Sequence, residues 1–197
     1  METMRDWDSV RAWRRQARQD LTRQRLALDA RDRRAAGDAV RSALRPMLAA
    51  RRGRAVALYW PVRGEIDVRP LAGGILRGGG TVALPVVVDR DGPLEFRRWT
   101  PDGPVEPGVW RIPVPTGPGA VEVAPDLVIV PLVGYDGERH RLGNGGGYYD
   151  RTLAAGAARG TPPYAIGVGF AFSRVPTIHP QPHDVRLDAI VTESEVL

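Results

Sequence analysis

The run Asp126–Val133, DLVIVPLV, decides the fold class. It is apolar without alternation, and a strand can be apolar at every position only where both faces of a sheet are covered, as in the centre of a parallel sheet. Working outward, Tyr164–Phe170 repeats the same character, and Ala55–Trp60 (AVALYW) reads as a further buried strand. Thr81–Val88 is another strand, Leu94–Trp99 alternates as an additional one, and Ala189–Val191 is a last short one. A short helix is expected near Val68–Leu76 and another from about Tyr148. Strands separated by helical segments predict a layered α/β fold with a mostly parallel central sheet flanked by helices.

The first fifty residues have a different period. Val10, Trp13, Ala17, Leu21 and Leu28 recur at helical spacing, with Gln24 on the same stripe, and predict one amphipathic helix. Asp29 is placed to cap a second helix whose face carries Ala36, Val40, Ala43, Leu44, Met47 and Leu48 and which ends before Arg51. One domain over 1–197 is expected, a helical pair over 1–50 followed by an α/β body over 55–197. The stretch Pro101–Pro125 is too punctuated by proline and glycine for regular structure, and its length favours a binding loop over a mobile linker.

Composition removes several chemistries. All 28 basic residues are arginine and cysteine is absent. A lysine-dependent P-loop, a Schiff-base lysine, a cysteine nucleophile and a thiolate metal site are therefore excluded. Any phosphate clamp must be built from arginine, backbone amides or metal. Residues 1–54 hold 15 arginines and 7 acids, a balance of +8, against −3 for the remainder. Such an end suits nucleic acid or an anionic substrate held at one edge. Interleaved acids at Asp20, Asp29, Asp32 and Asp38 and the lack of a recognised RNA-binding motif count against nucleic acid. A charged N-terminus without an apolar block, and no long apolar run, predict a soluble cytoplasmic protein with no membrane partner, and a monomer is expected.

The segment that carries chemistry is Arg141–Asp150, RLGNGGGYYD, about eight residues after the strongest strand. Four glycines in five residues let backbone approach an anion, and a helix starting near Tyr148 would aim its free amides there. Neither GxGxxG nor GxxxxGK[ST] fits, and a flexible strand-to-helix loop is the alternative reading. Arg141 before the cluster and Asp150 after it add a phosphate counter-charge and a hard oxygen of the kind Mg2+ prefers. In HPQPHDVRLDAIV, prolines at 180 and 182 prevent His179 and His183 from sharing a helical face as zinc ligands. Asp188 there either caps a turn or completes a metal site. In WPVRGEIDVRPL, capping accounts for Asp67, whereas Glu65 has no local explanation and is the better candidate for holding substrate N–H groups.

These pieces, with RRQARQDLTRQRLAL, TVALPVV, LEFRRW, WRIPVP and IGVGFAF in order along nearly the whole chain, resemble the 5-formyltetrahydrofolate cyclo-ligase family. The resemblance implies ATP- and Mg2+-dependent conversion of 5-formyltetrahydrofolate to 5,10-methenyltetrahydrofolate. It implies that Arg141, Leu142, Gly143, Asn144, Gly145, Gly146, Gly147, Tyr148 and Tyr149 wrap the ATP phosphates, with Arg141 and Asp150 catalytic. Asp150 and Asp188 are implied near Mg2+, Glu65 at the formyl end of the folate, and Trp60, Trp110 and Tyr148 around the pterin. Arg14 stands where the family usually carries a phosphate-binding lysine, followed by Arg15 and Arg18 on the same helix. Val114 stands where the family often has a polar residue, and with Arg14 it leaves open a nucleotide-binding relative with altered or lost folate activity.

Overall fold

The computed structural model describes residues 6–51 and 53–197; residues 1–5 and Arg52, counted in the expected domain, lie outside the described residues. The expected helical pair forms as α1 (Trp7–Ala27), capped by Asp6, and α2 (Ala30–Ala49), capped by Asp29 through the Asp32 N–H. The body follows as β1 (Ala55–Ala57), a 3-10 turn over Arg69–Leu71, α3 (Ala72–Arg77), β2 (Thr81–Val86) and β3 (Glu95–Arg98). A hairpin of β4 (Val105–Pro107) and β5 (Pro113–Pro115) precedes β6 (Leu127–Pro131). The chain ends with β7 (Gly134–Tyr135), β8 (Arg141–Leu142), α4 (Tyr148–Ala158), β9 (Tyr164–Val168) and β10 (Ala189–Val191).

Six strands form the main sheet in the order β10-β9-β6-β1-β2-β3, all parallel except β3, which runs antiparallel to β2. The apolar run of β6 is divided between the two faces. Leu127 and Ile129 pack with Ala36, Val40 and Leu44 of α2 and Ala72 of α3, whereas Val128 and Val130 pack with Leu153 of α4. Each strand end at the C-terminal edge is then free to carry function. β1 sits between β6 and β2, so the chain leaves β1 and β6 in diverging directions and a crevice opens at their C-terminal ends, the usual ligand position in open α/β sheets.

Three expectations are corrected. The strand expected over Ala55–Trp60 stops at Ala57, because Tyr59 and Trp60 turn away into that crevice. The segment 101–125 is not irregular throughout: it contains the β4–β5 hairpin, whose tip holds Trp110 and Arg111 in the left-handed region at φ 53° and 60°. The packed stripe of α1 is Val10, Arg14, Leu21 and Arg25, while Gln24 is exposed. Arginines occupy this stripe because carbonyls wait for their N–H groups: Arg25 Nε donates to Arg63 O at 3.0 Å, and Arg14 Nε to Ile178 O at 3.0 Å. Among the described residues no helix is long and apolar enough to cross a membrane.

Candidate functional site

A cavity of about 630 Å³ opens at the C-terminal ends of β1, β2 and β6. It is closed by the 141–150 segment on one side, by the β4–β5 hairpin on another, and by α1 and the 183–184 segment behind. The hairpin of β7 and β8 delivers Arg141 to it. Asp136 braces that hairpin from within, accepting from the N–H groups of Glu138 (3.1 Å), His140 (3.0 Å) and, from across the fold, Ile178 (3.1 Å).

The glycine segment has the geometry of an anion cradle. Gly147 takes φ 68°, a conformation costly for side-chain-bearing residues, and from it α4 begins with no side-chain cap. The first amides of α4 thus have no acceptor inside the helix, and Tyr148, Tyr149 and Asp150 all line the cavity. A Cβ on Gly143 would stand 2.5 Å from Arg141 Nη1, so guanidinium and loop can be this close only without one. Arg141 is buried, donates from Nη2 to Asp150 Oδ2 at 3.0 Å, and keeps a buried Nε with no hydrogen bond. A buried guanidinium N–H without an acceptor is costly, and since this Nε is enclosed by protein it is the charge of Arg141 beside the loop, not that N–H, which an anion in the cavity would meet. Arg18 closes the loop from α1, donating from Nε to Gly143 O at 2.8 Å; burial and the neighbouring Arg14 charge lower its pKa.

The other end of the cavity is aromatic. Trp60 packs edge-on to Trp99 at 6.3 Å, with the Arg69 guanidinium 4.2 Å above its ring. Trp110, 67% exposed at the hairpin tip, stands edge-on to Tyr148 at 5.7 Å. Between the ends lies Glu65, only 7% exposed. It does have a local anchor, contrary to the sequence reading: Oε2 accepts from the Val62 N–H at 3.0 Å, and Oε1 from Asn144 Nδ2 at 3.3 Å. Burial raises its carboxyl above the ordinary value, opposed by the Val62 N–H and by the Arg25 charge. Asp67, expected as a cap, is not one: Val68 holds the cap position of the 3-10 turn, which has no side-chain cap, and the Asp67 carboxylate instead binds Arg69, accepting from its backbone N–H at 3.0 Å and from its guanidinium at 2.9 and 2.8 Å.

Two expected residues are not brought to the cavity. Arg15, about 100° round α1 from Arg14, is exposed and does not line it. Asp188 precedes β10 at the N-terminal edge of the sheet, where its carboxylate accepts from the Ala165 N–H at 2.7 Å. The expected pairing of Asp150 with Asp188 is therefore corrected: Asp188 is at the opposite edge of the sheet, and the second aspartate lining the cavity is Asp184. Asp184 lines the cavity, and the N–H of the next residue, Val185, donates to Asp150 Oδ1 at 3.2 Å, which ties the 184–185 segment to α4. Arg14 also lines the cavity, but its donors go to Ile178 O, to His179 O at 2.9 Å and to an ion pair with Asp184. Burial would raise the Asp184 carboxyl, yet bonds from Arg14 and the Gln181 N–H hold it below the usual range.

The sequence profile of the 5-formyltetrahydrofolate cyclo-ligase family matches residues 10–193, nearly the whole chain. The chain belongs to that family. Within the cyclo-ligase family it is 34% identical over 146 residues to 5-formyltetrahydrofolate cyclo-ligase of Escherichia coli K12, covering 72% of this chain and 79% of that one. It is 32% identical over 146 residues to the Mycolicibacterium smegmatis enzyme of the same name, covering 71% and 74%. Its backbone matches the solved structure of Aquifex aeolicus 5,10-methenyltetrahydrofolate synthetase with a TM-score of 0.77 and 28% identity, over 93% of this chain and 91% of that one. The cyclo-ligase family membership and the α/β fold with its N-terminal helical pair stand as the sequence motifs implied. Asp184 was legible only as one of four candidate ligands in HPQPHDVRLD, with His179, His183 and Asp188, in a segment with no periodicity to choose among them.

Proposed function

We propose that this chain converts 5-formyltetrahydrofolate to 5,10-methenyltetrahydrofolate, using ATP and releasing ADP and phosphate. The observation that carries this reading is the polarity of this cavity. One end offers an uncapped helix start with Arg141 and Arg18 beside it, the other offers Trp60 and Trp110, and the buried Glu65 lies between them. A nucleotide phosphate fits the first, and a flat heterocycle with N–H donors fits the second.

In the reaction the formyl oxygen attacks the γ-phosphorus and the bond to the ADP oxygen breaks. N10 then attacks the formyl carbon, loses its proton, and phosphate leaves with the former formyl oxygen. The protein needs no nucleophile of its own. Arg141 and the α4 amides would hold the transferring phosphoryl group and offset its charge, and Glu65 would accept from the pterin N–H groups so that formyl oxygen and phosphorus align. Asp150 and Asp184 both line the cavity and are the carboxylates that would hold Mg2+, which takes one or two carboxylates together with substrate phosphates, once each yields part of its pairing with Arg141 and Arg14. Bound there, Mg2+ would supply charge neutralisation at the phosphates.

Val114, buried in the cavity wall with an apolar side chain, favours a second reading in which the folate differs from the family's usual one. One assay separates the two. Purified protein is given 5-formyltetrahydrofolate, ATP and Mg2+, and methenyl product is followed by absorbance, with each component omitted in turn. Product requiring all three supports the proposal. Folded protein that binds ATP and forms no product refutes it.

A further inference from the structure

We infer that Arg25 is a positioning residue that fixes Glu65 in the cavity, for contact with the folate, from behind its wall. This rests on the proposed reading of Glu65 as a substrate contact. Arg25 lies on α1, is 3% exposed and does not line the cavity, so it touches no ligand there. It presses instead on the turn that presents Glu65. That turn is closed by the Glu65 N–H donating to Val62 O at 3.0 Å, and both its central residues are left-handed, Arg63 at φ 48° and Gly64 at φ 77°. Glycine accepts that conformation freely, whereas Arg63 does so only when its surroundings hold it. Arg25 supplies the hold: its Nε donates to Arg63 O at 3.0 Å, and its Cγ would lie 3.6 Å from a Cβ on Gly64.

The same guanidinium bears on the charge of Glu65. Arg25 Nη2 is buried with no hydrogen bond, and no carboxylate lies within ion-pair distance of Arg25 among the described residues. Burial lowers the Arg25 pKa, and the Glu65 charge is the largest influence opposing that; in return Arg25 is the foremost charge lowering the carboxyl of Glu65. The other ionisable groups bearing on this carboxylate are Arg63 on the turn, Tyr59 after β1 and Tyr149 on α4, both hydroxyls pushed further from ionisation by burial. Arg25 thus sets two properties of Glu65 through one turn: the direction of its carboxylate and the ease of keeping it charged.

A double-mutant cycle tests this. Arg25→Met, Glu65→Gln and the double variant are compared with wild type for kcat, for KM of each substrate, and for direct 5-formyltetrahydrofolate binding by tryptophan fluorescence without ATP. Arg25→Met is expected to raise the folate KM and Kd about tenfold in the wild-type background, to leave the ATP KM within about twofold, and to have less than about a twofold effect once Glu65 is Gln. Arg25→Lys, which keeps the charge and loses the planar fork, is expected to lie between wild type and Arg25→Met, and carries the same cycle if Arg25→Met does not fold. Equal losses in both backgrounds, or parallel rises in the KM of folate and ATP, would make Arg25 a scaffold residue and overturn the inference. Wild-type protein that binds ATP but no folate would instead overturn the proposed substrate, and the role of Arg25 with it.

Discussion

Arg14→Ala removes the guanidinium that ties α1 to the C-terminal segment. In the folded chain this side chain bonds Ile178 O and His179 O and pairs with Asp184, the two side chains being 7% and 9% exposed. Removing one partner of a buried pair leaves the other charge uncompensated and costs about 3–5 kcal/mol. At about 2–4 °C per kcal/mol for a domain of this size, the melting temperature should fall by about 6–20 °C at neutral pH. The sign of the pH dependence follows from Asp184, whose folded pKa is depressed. Its stabilisation is complete above the unfolded carboxylate value of about 3.9 and is lost as pH falls through the lower folded value. The gap between wild type and variant should therefore be widest near neutrality and narrow below about pH 4. Thermal unfolding monitored by circular dichroism at several pH values, alongside the ATP KM, is the assay. A melting temperature within about 2 °C of wild type together with a raised ATP KM would refute the reasoning and make Arg14 a freely available phosphate ligand.

Arg141→Met should lower kcat by about 10²- to 10³-fold in steady-state turnover, the usual effect of removing one preorganised donor from a developing charge. Asp184→Asn should lower turnover strongly with partial recovery at high Mg2+. Asp188→Ala should leave turnover within about twofold and cost about 1 kcal/mol in urea unfolding, the worth of its one bond to the Ala165 N–H. Trp110→Ala should raise the folate KM about five- to tenfold, as expected for a lost aromatic wall, while the melting temperature of so exposed a residue stays put.

The legible parts of this fold are those where one periodicity had one physical cause. DLVIVPLV could be apolar throughout only between two helical layers, and α2 and α4 supply them. Asp29 and the α2 face were readable because a cap and a helical stripe are local. The β4–β5 hairpin was hidden by its own composition: Pro107, Pro113 and Pro115 lack the N–H that defines a ladder, and such strands occur only at edges. The choice between Asp184 and Asp188 was also beyond local reasoning. Both follow prolines in an irregular segment, and only the register of β10 on β9 sends the second to the far edge of the sheet.

The arginines show most clearly what a sequence withholds. A balance of +8 over residues 1–54 invites an external anionic partner, yet much of that charge is turned inward onto backbone oxygen. Arg33 donates to the carbonyls of Arg25, Leu26 and Leu28 where α1 ends, and Arg41 to Asp67 O at 2.7 Å. Arg14 goes further, serving Ile178 O from Nε and His179 O from Nη2, two carbonyls from separate nitrogens of one planar group, which the single nitrogen of a lysine could not do. In a chain without lysine, then, net charge overstates what is available to a ligand. Of the basic stripe, Arg14 is spent on Ile178 O, His179 O and Asp184, whereas Arg18 bonds through Nε alone, to Gly143 O, and lines the cavity, so its Nη groups are the part of that charge left to a ligand.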